Sequence, residues 1–251
     1  MTDHVDGAAT DRVLPPLDVL LVVGGNHSHD YDYVRPELIR GLTAGRDIRI
    51  DVRTDFTDLG ALSRTATFLT YTCDLRPGAS EEAALHNFVK GGGRWLALHG
   101  SNCFFDVDPI RIPDGFETYF KTVGSKFSSH PPICDFTVRP TDNPLTAQLM
   151  SGVAEFTTSD ELYLLDHLAD VQVLLEVGPD GPHPGAPIAY LHTLGSGQVL
   201  YCSLGHSGSP THPHGQHRCS WAVPAFGVVL DRLVRWLIAG QGQNGAPSPA
   251  L

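Results

Sequence analysis

The fold is decided by the stretch GGGRWLALHGSNC, residues Gly91–Cys103. Its three glycines can end a preceding helix, because glycine tolerates the left-handed backbone that a helix C-terminus needs. Trp95–Leu98 is a short apolar run, typical of a central parallel strand that is covered on both faces. His99 follows where the strand ends, and Gly100 and Ser101 allow a tight turn. Because ligands bind outside the carboxyl ends of the strands in open α/β sheets, His99 is the first candidate site residue.

Length and composition indicate a globular protein with neither a nucleic-acid nor a membrane partner. The chain has 251 residues, 41% of them hydrophobic, and a net charge of −11 without a Lys/Arg cluster, which argues against nucleic-acid binding. No apolar run approaches the roughly 18 residues needed to span a bilayer, and the polar first ten residues do not resemble a signal peptide. The five cysteines form no CxxC pair, so a cytoplasmic location without a disulfide framework is expected.

Strand and helix patterns alternate four times in the first 98 residues, which predicts a doubly wound, mostly parallel sheet. The predicted strands are 18–23, 48–52, 67–71 and 95–98, and the helices between them are 33–43, 57–63 and one that Ser80 would cap. Further along, Gly195-Ser196-Gly197 predicts a late antiparallel hairpin, and residues 224–239 predict a closing amphipathic helix. We therefore expect a single α/β domain over residues 17–240, with a flexible arm at 1–16 and a flexible tail at 241–251.

Six short segments, taken in order, resemble the ThuA-like (trehalose utilisation) family. They are Val22–Asp30, Gly92–His99, Ser129–Pro131, Asp142–Thr146, Asp160–Tyr163 and Gly197–His206. The resemblance implies a flavodoxin-like three-layer α/β/α sandwich, similar to the class I glutamine amidotransferases. It also implies a role in the breakdown of oxidised (keto) disaccharides. Since one fold serves many chemistries, the function has to be argued from the site residues.

The corner around His99 argues against glutamine hydrolysis. A glutaminase needs a cysteine thiolate in this corner, a histidine base, and an acidic residue two positions beyond that base. Here His99 stands in the place of the thiol, and Cys103 lies off the corner. His206 matches the place of the base, but Gly208 follows two positions later. The nucleophile and the orienting acid are therefore both missing.

A cluster of histidines and acids is instead expected at the carboxyl edge of the sheet. His99 and His206 are predicted to be catalytic acid/base residues or metal ligands, with Glu161 or Asp160 as the partnering carboxylate. The candidate ligands of a divalent metal such as zinc are His27, His29, His99 and His206. The residues predicted to contact the substrate are His27, His29, Asp30, His130, Ser101 and Asn102. No nucleotide cofactor is expected, because no G-x-G-x-x-G follows the first strand.

Structural explanations for the same residues stay open. His99 could serve only to hold a loop through a hydrogen bond, Glu161 could pair with an arginine, and Asp160 could cap a helix. Two functions are therefore weighed. The first is an enzyme, a hydrolase, lyase or isomerase of a sugar or keto-sugar derivative. The second is a non-catalytic sugar-binding or regulatory domain that lost the amidotransferase nucleophile. Both bind a small sugar-derived ligand, and both are compatible with a homo-oligomer.

Overall fold

A nine-stranded mixed sheet forms the middle layer of an α/β/α sandwich. The computed structural model describes residues 18–107, 110–111, 113–211 and 215–239. The arm expected at 1–16 and the tail expected at 241–251 lie outside the described residues. The predicted fold class, a mostly parallel sheet followed by antiparallel strands, is confirmed.

Strands and helices alternate as far as the fourth strand, and strands predominate after it. The strands are β1 (Val19–Gly25), β2 (Ile50–Arg53), β3 (Thr67–Cys73), β4 (Arg94–Leu98), β5 (Asp106–Val107), β6 (Ile110–Arg111), β7 (Ser125–Ser129), β8 (Cys134–Pro140), β9 (Phe156–Asp160), β10 (Leu164–His167), β11 (Val171–Val177), β12 (Pro187–Leu194) and β13 (Gly197–Cys202). The α-helices are α1 (Tyr31–Thr43), α2 (Ala79–Lys90), α3 (Glu117–Val123), α4 (Pro144–Leu149) and α5 (Pro224–Ala239). Short 3-10 helices cover Leu59–Arg64, His99–Asn102 and Cys219–Ala222.

The strand order in the main sheet is β2-β1-β3-β4-β13-β12-β11-β8-β9. Neighbours from β2 to β13 run parallel, and neighbours from β13 to β9 run antiparallel. In the pairing of β4 with β13, Leu98 lies opposite Cys202. The residues that follow these two strands, His99 on one side and Ser203 to His206 on the other, therefore leave the sheet side by side at the same edge.

Both faces of the sheet are buried, which explains the continuous apolar runs of its central strands. Along β1, Leu21 and Val23 pack into the core under α1 and α5, whereas Leu20 and Val22 pack into the opposite core with α2 and α3. Residues Val34, Leu38 and Leu42 of α1 and Val229, Leu233, Val234 and Leu237 of α5 are all buried, as their spacing predicts.

The antiparallel hairpin and the closing helix are confirmed, but other local predictions are wrong. Ser80 does not cap α2, which begins one residue earlier and has Gly78 at its N-cap position. Asp160, for which a helix cap is one of the open explanations, is the last residue of β9 and occupies no helix N-cap position. The sequence pattern also does not predict the strands β7, β9 and β10. Within the described part of the chain, no helix is long and apolar enough to cross a membrane.

Candidate functional site

His99 occupies a strained corner between β4 and a 3-10 turn. Its φ is +49°, a left-handed conformation that residues other than glycine rarely adopt. The next residue must be small, because a Cβ on Gly100 would lie 2.6 Å from the Thr72 carbonyl oxygen. The Tyr201 hydroxyl donates to the His99 carbonyl oxygen at 2.8 Å and fixes the corner from below.

The orientation of the His99 ring is set by a backbone carbonyl. His99 Nδ1 lies 2.8 Å from the Ser203 carbonyl oxygen, which can only accept a hydrogen bond. Nδ1 therefore carries the proton, and the lone pair of Nε2 is left free to accept a proton or bind a metal. This tautomer is the one common to metal-binding histidines, whose other ring nitrogen donates to a carbonyl or carboxylate.

The Asp160 side chain holds His206 in place by binding the backbone around that histidine. The buried carboxylate accepts hydrogen bonds from the backbone N–H of Gly205 at 2.9 Å and of His206 at 3.2 Å. It accepts three more, from the backbone N–H of Glu161 and from both the N–H and the hydroxyl of Ser220. Burial raises the pKa of Asp160, although these hydrogen bonds oppose the shift. Asp160 thus ties the end of β9 to the segment that carries His206.

Four side chains from distant parts of the sequence meet above the sheet. One potential ligand atom from each of His29, His99, His206 and Glu161 lies within 4.8 Å of all the others. His29 Nε2 is 2.9 Å from His99 Nε2. Glu161 Oε2 is 3.2 Å from His206 Nδ1 and 3.6 Å from His99 Nε2. We call this group the His/Glu cluster.

Two members of the cluster, His99 and Glu161, have the protonation states that a metal ion requires. Burial lowers the pKa of His99 to about 4, more than the nearby Glu161 raises it, so the ring is neutral at pH 7. Burial alone would raise the pKa of Glu161. The contacts with His206, His99 and His130 lower this pKa by more than burial raises it, so the net shift is downward. The cluster therefore presents an ionised carboxylate beside a neutral imidazole.

His130 and Tyr163 form the rim of the cluster. His130 Nε2 lies 3.9 Å from Glu161 Oε1, and its side chain is 36% exposed. Its ring stacks on that of Tyr163 at a centroid distance of 5.9 Å. The Tyr163 hydroxyl in turn lies 3.3 Å from His99 Nε2. The rim thus connects the buried imidazoles with the surface.

The remaining predicted site residues have other neighbours. His27 is exposed and its ring is not part of the His/Glu cluster. Asp30 caps α1 by accepting from the Tyr33 N–H and pairs with Arg218 at 2.9 Å. Ser101 donates to the Leu98 carbonyl oxygen, and Asn102 donates to the Ser125 hydroxyl. These bonds are internal to the scaffold, and a substrate role for the four residues stays a prediction.

The supporting residues Ser203 and Tyr201 were missed by sequence reasoning. Ser203 acts through its carbonyl oxygen, which every residue type possesses. Tyr201 lies in an apolar strand. A tyrosine there can pack as a core ring or donate a hydrogen bond, and the residue type alone does not tell which. The pairing of β13 with β4 is the signal that would have placed Tyr201 beneath the corner.

Fold and cluster together define a class: flavodoxin-like α/β proteins with three imidazoles and a carboxylate gathered at the carboxyl edge of the sheet. The model of the trehalose utilisation family, ThuA, matches residues 18–218, and the chain belongs to this family. The family has the class I glutamine amidotransferase-like fold. Its description indicates a carbohydrate-related role.

Solved structures support the same fold. A ThuA-like protein from Bacteroides uniformis is 16% identical with a TM-score of 0.67, over 96% of this chain and 99% of the other. A ThuA-like protein from Parabacteroides merdae is 14% identical with a TM-score of 0.64, over 93% and 94% of the two chains. Part of a β-galactosidase from Halorubrum lacusprofundi is also similar, at 20% identity and a TM-score of 0.57, over 90% of this chain and 30% of that one. No curated protein sequence matches the chain.

Proposed function

We propose that the protein is a metal-dependent enzyme that acts on a sugar derivative bearing a carbonyl group, such as a 3-keto-glycoside. The His/Glu cluster would hold one divalent ion through His29, His99, His206 and Glu161. The observation that carries the proposal is the convergence of these four ligand atoms within 4.8 Å of one another. Three imidazoles and one carboxylate suit zinc and other first-row divalent metals.

The spacing within the cluster supports a metal of ordinary size. With bonds of about 2.0–2.1 Å to zinc, neighbouring ligands of a tetrahedral site lie about 3.3 Å apart. Three of the six separations, 2.9, 3.2 and 3.6 Å, bracket that value, and all six are within 4.8 Å. The Ser203 carbonyl also supplies the outer hydrogen bond that a metal-binding His99 needs.

The protein's own residues would divide the work around the substrate. A bound ion would polarise a substrate carbonyl or activate water. His130, the partly exposed member of the aromatic rim, would contact the sugar ring, and the buried Tyr163 stacks behind it. Glu161 Oε1 faces this rim, 3.9 Å from His130 Nε2, so it is the carboxylate oxygen nearest to an entering ligand. The carbohydrate substrate class itself rests on membership of the trehalose utilisation family.

The test combines metal content with a reaction that does not require the product to be known. Tag-free protein is analysed by elemental mass spectrometry and then incubated with methyl 3-keto-glucoside in D₂O. NMR follows both product formation and deuterium exchange beside the carbonyl. We expect one divalent ion per chain. Turnover or exchange should be lost on EDTA treatment and restored by the metal.

The other outcomes of this test separate the rival functions. Turnover that survives complete removal of metal would contradict the metal-dependent mechanism and favour acid/base chemistry by the imidazoles. That alternative has one observation in its favour, the 2.9 Å contact between the Nε2 atoms of His29 and His99, which fits a shared proton. Ligand binding without turnover or exchange in the metal-loaded protein would contradict the enzyme and favour the sugar-binding domain.

A further inference from the structure

An open cavity of about 420 Å³ lies beside the rim of the His/Glu cluster. Its walls come from two segments, the β10 region, including Tyr163, Leu164, Leu165 and His167, and the loop 183–187. The volume falls within the range of about 300–1,000 Å³ that is typical of small-molecule sites. Its lining contains none of the site residues that the sequence predicts.

The cavity and the cluster share the same edge of the sheet. β12 begins at Pro187 and runs antiparallel to β13, so its start lies beside the carboxyl end of β13. The Ser203 N–H donates to the Ile188 carbonyl oxygen at 2.9 Å. Ser203, whose own carbonyl oxygen orients His99, is thereby joined to the start of β12. The loop 183–187 is therefore held close to the histidine corner.

Tyr163 lies both in the wall of the cavity and at the rim of the His/Glu cluster. It lines the cavity, and its ring centroid lies 4.8 Å from that of His99. Its hydroxyl already contacts His99 Nε2. A ligand bound at the cluster rim would therefore lie next to a wall of the cavity.

The lining of the cavity is poorly suited to a second sugar ring. Five of the nine residues that line it are aliphatic: Leu164, Leu165, Pro184, Ala186 and Pro187. Apart from Tyr163, the polar side chains in the lining are the imidazoles of His167 and His183. A pyranose carries several hydroxyls, and those left without partners on burial would weaken binding. A mostly carbon group with one or two polar atoms fits better.

We infer that this cavity binds the aglycone of a glycoside, an aryl group, while the oxidised sugar lies at the His/Glu cluster. The sugar end of this inference rests on the proposed function. The aglycone end rests on the chemistry of the cavity alone. Burial lowers the pKa of His167, so its ring stays neutral and can bond a single polar atom of such a group.

The experiment compares three ligands by calorimetry, with metal-loaded and with EDTA-treated protein. They are phenyl 3-keto-glucoside, methyl 3-keto-glucoside and a 3-keto-disaccharide, each as both anomers where the compound has them. We expect the phenyl glycoside to bind about tenfold more tightly than the methyl glycoside, since the extra apolar area is removed from water. Ala186→Phe should fill the cavity and abolish this preference. Ala147→Phe, at an exposed position on α4, is the matched control and should keep it.

A second measurement on the unaltered protein does not depend on the folding of any variant. Saturation-transfer NMR should show the strongest transfer to the phenyl protons, and the ligand should shift the imidazole signals of His167 and His183. Equal binding of the phenyl and methyl glycosides, or tighter binding of the disaccharide, would overturn the inference. Because metal content and deuterium exchange are measured separately, either result leaves the proposed function standing on its own test.

Discussion

The two sides of the His/Glu cluster are built in different ways. The corner after β4 places His99 by packing, because it follows a central strand whose neighbours are fixed on both sides. The segment after β9 places Glu161 by hydrogen bonds, since β9 is an edge strand and Asp160 ties its end to Gly205, His206 and Ser220. The hydrocarbon core thus positions one half of the site, and a buried polar clamp positions the other. Substitutions on the two sides should separate these two kinds of support.

The largest effect is expected from Asp160→Ala. The substitution leaves the buried donors of Gly205, His206 and Ser220 without their acceptor, which should lower the free energy of unfolding by about 3–5 kcal/mol. Urea unfolding measures this loss. Asp166→Ala, at an exposed position on β10, should change the stability by about 0.5 kcal/mol or less. A loss below about 1 kcal/mol for Asp160→Ala would show that the clamp does not hold the segment.

Glu161→Gln should act on the metal more than on the fold. The amide keeps the shape of the side chain but removes the charged ligand. Loss of an outer-shell partner lowers metal affinity by about 10–100-fold, so loss of this direct ligand should lower it by about 100-fold. Competition with a chromogenic chelator measures the affinity. The matched control is Glu176→Gln, since that carboxylate pairs with Arg139 across β11 and β8. An unchanged affinity would remove Glu161 from the ligand set.

Gly100→Ala tests the packed side of the comparison. The added Cβ would lie 2.6 Å from the Thr72 carbonyl oxygen, so the corner must shift, and the free energy of unfolding should fall by about 1–3 kcal/mol. Gly41→Ala is the control, because Gly41 lies inside α1 with no atom within 4 Å of the new Cβ. That variant should be more stable than the parent by up to about 1 kcal/mol. Thermal unfolding of the two variants should therefore move in opposite directions.

The smallest effect is expected from His130→Ala. His130 is partly exposed and touches the cluster only through Glu161 Oε1 at 3.9 Å. Both the free energy of unfolding and the metal affinity should stay within about 0.5 kcal/mol of the parent. Loss of the metal in this variant would mean that His130, rather than one of the three buried histidines, completes the ligand set.

The packed side of the site could be predicted from sequence, and the clamped side could not. Residues 95–98 and 224–239 carry strong apolar patterns, and both elements are present in the structure. β9 (FTTSD) and β7 (SKFSS) each contain one large apolar residue, so their pairing partners decide their structure. For the same reason Asp160 and Glu161 could not be told apart, since only the backbone groups around Asp160 give it a structural role.

The site itself was predicted in part. Residue types and strand ends suffice to nominate His99 and His206, because turns after parallel strands gather at one edge. They do not separate His29 from His27, which lie on the same loop. The structure directs His29 towards His99, and His27 is exposed. Which of two loop histidines turns inward depends on contacts such as the pairing of His29 with Gly208, and local sequence does not reveal these.

The central claim is that buried imidazoles hold a metal at the corner after β4. The most direct measurement is the metal content of tag-free parent protein, His99→Ala and His27→Ala, purified side by side and checked for folding by circular dichroism. The account predicts one divalent ion per chain in the parent and in His27→Ala, and none in His99→Ala. A folded His99→Ala protein that retains the full metal content of the parent would contradict it.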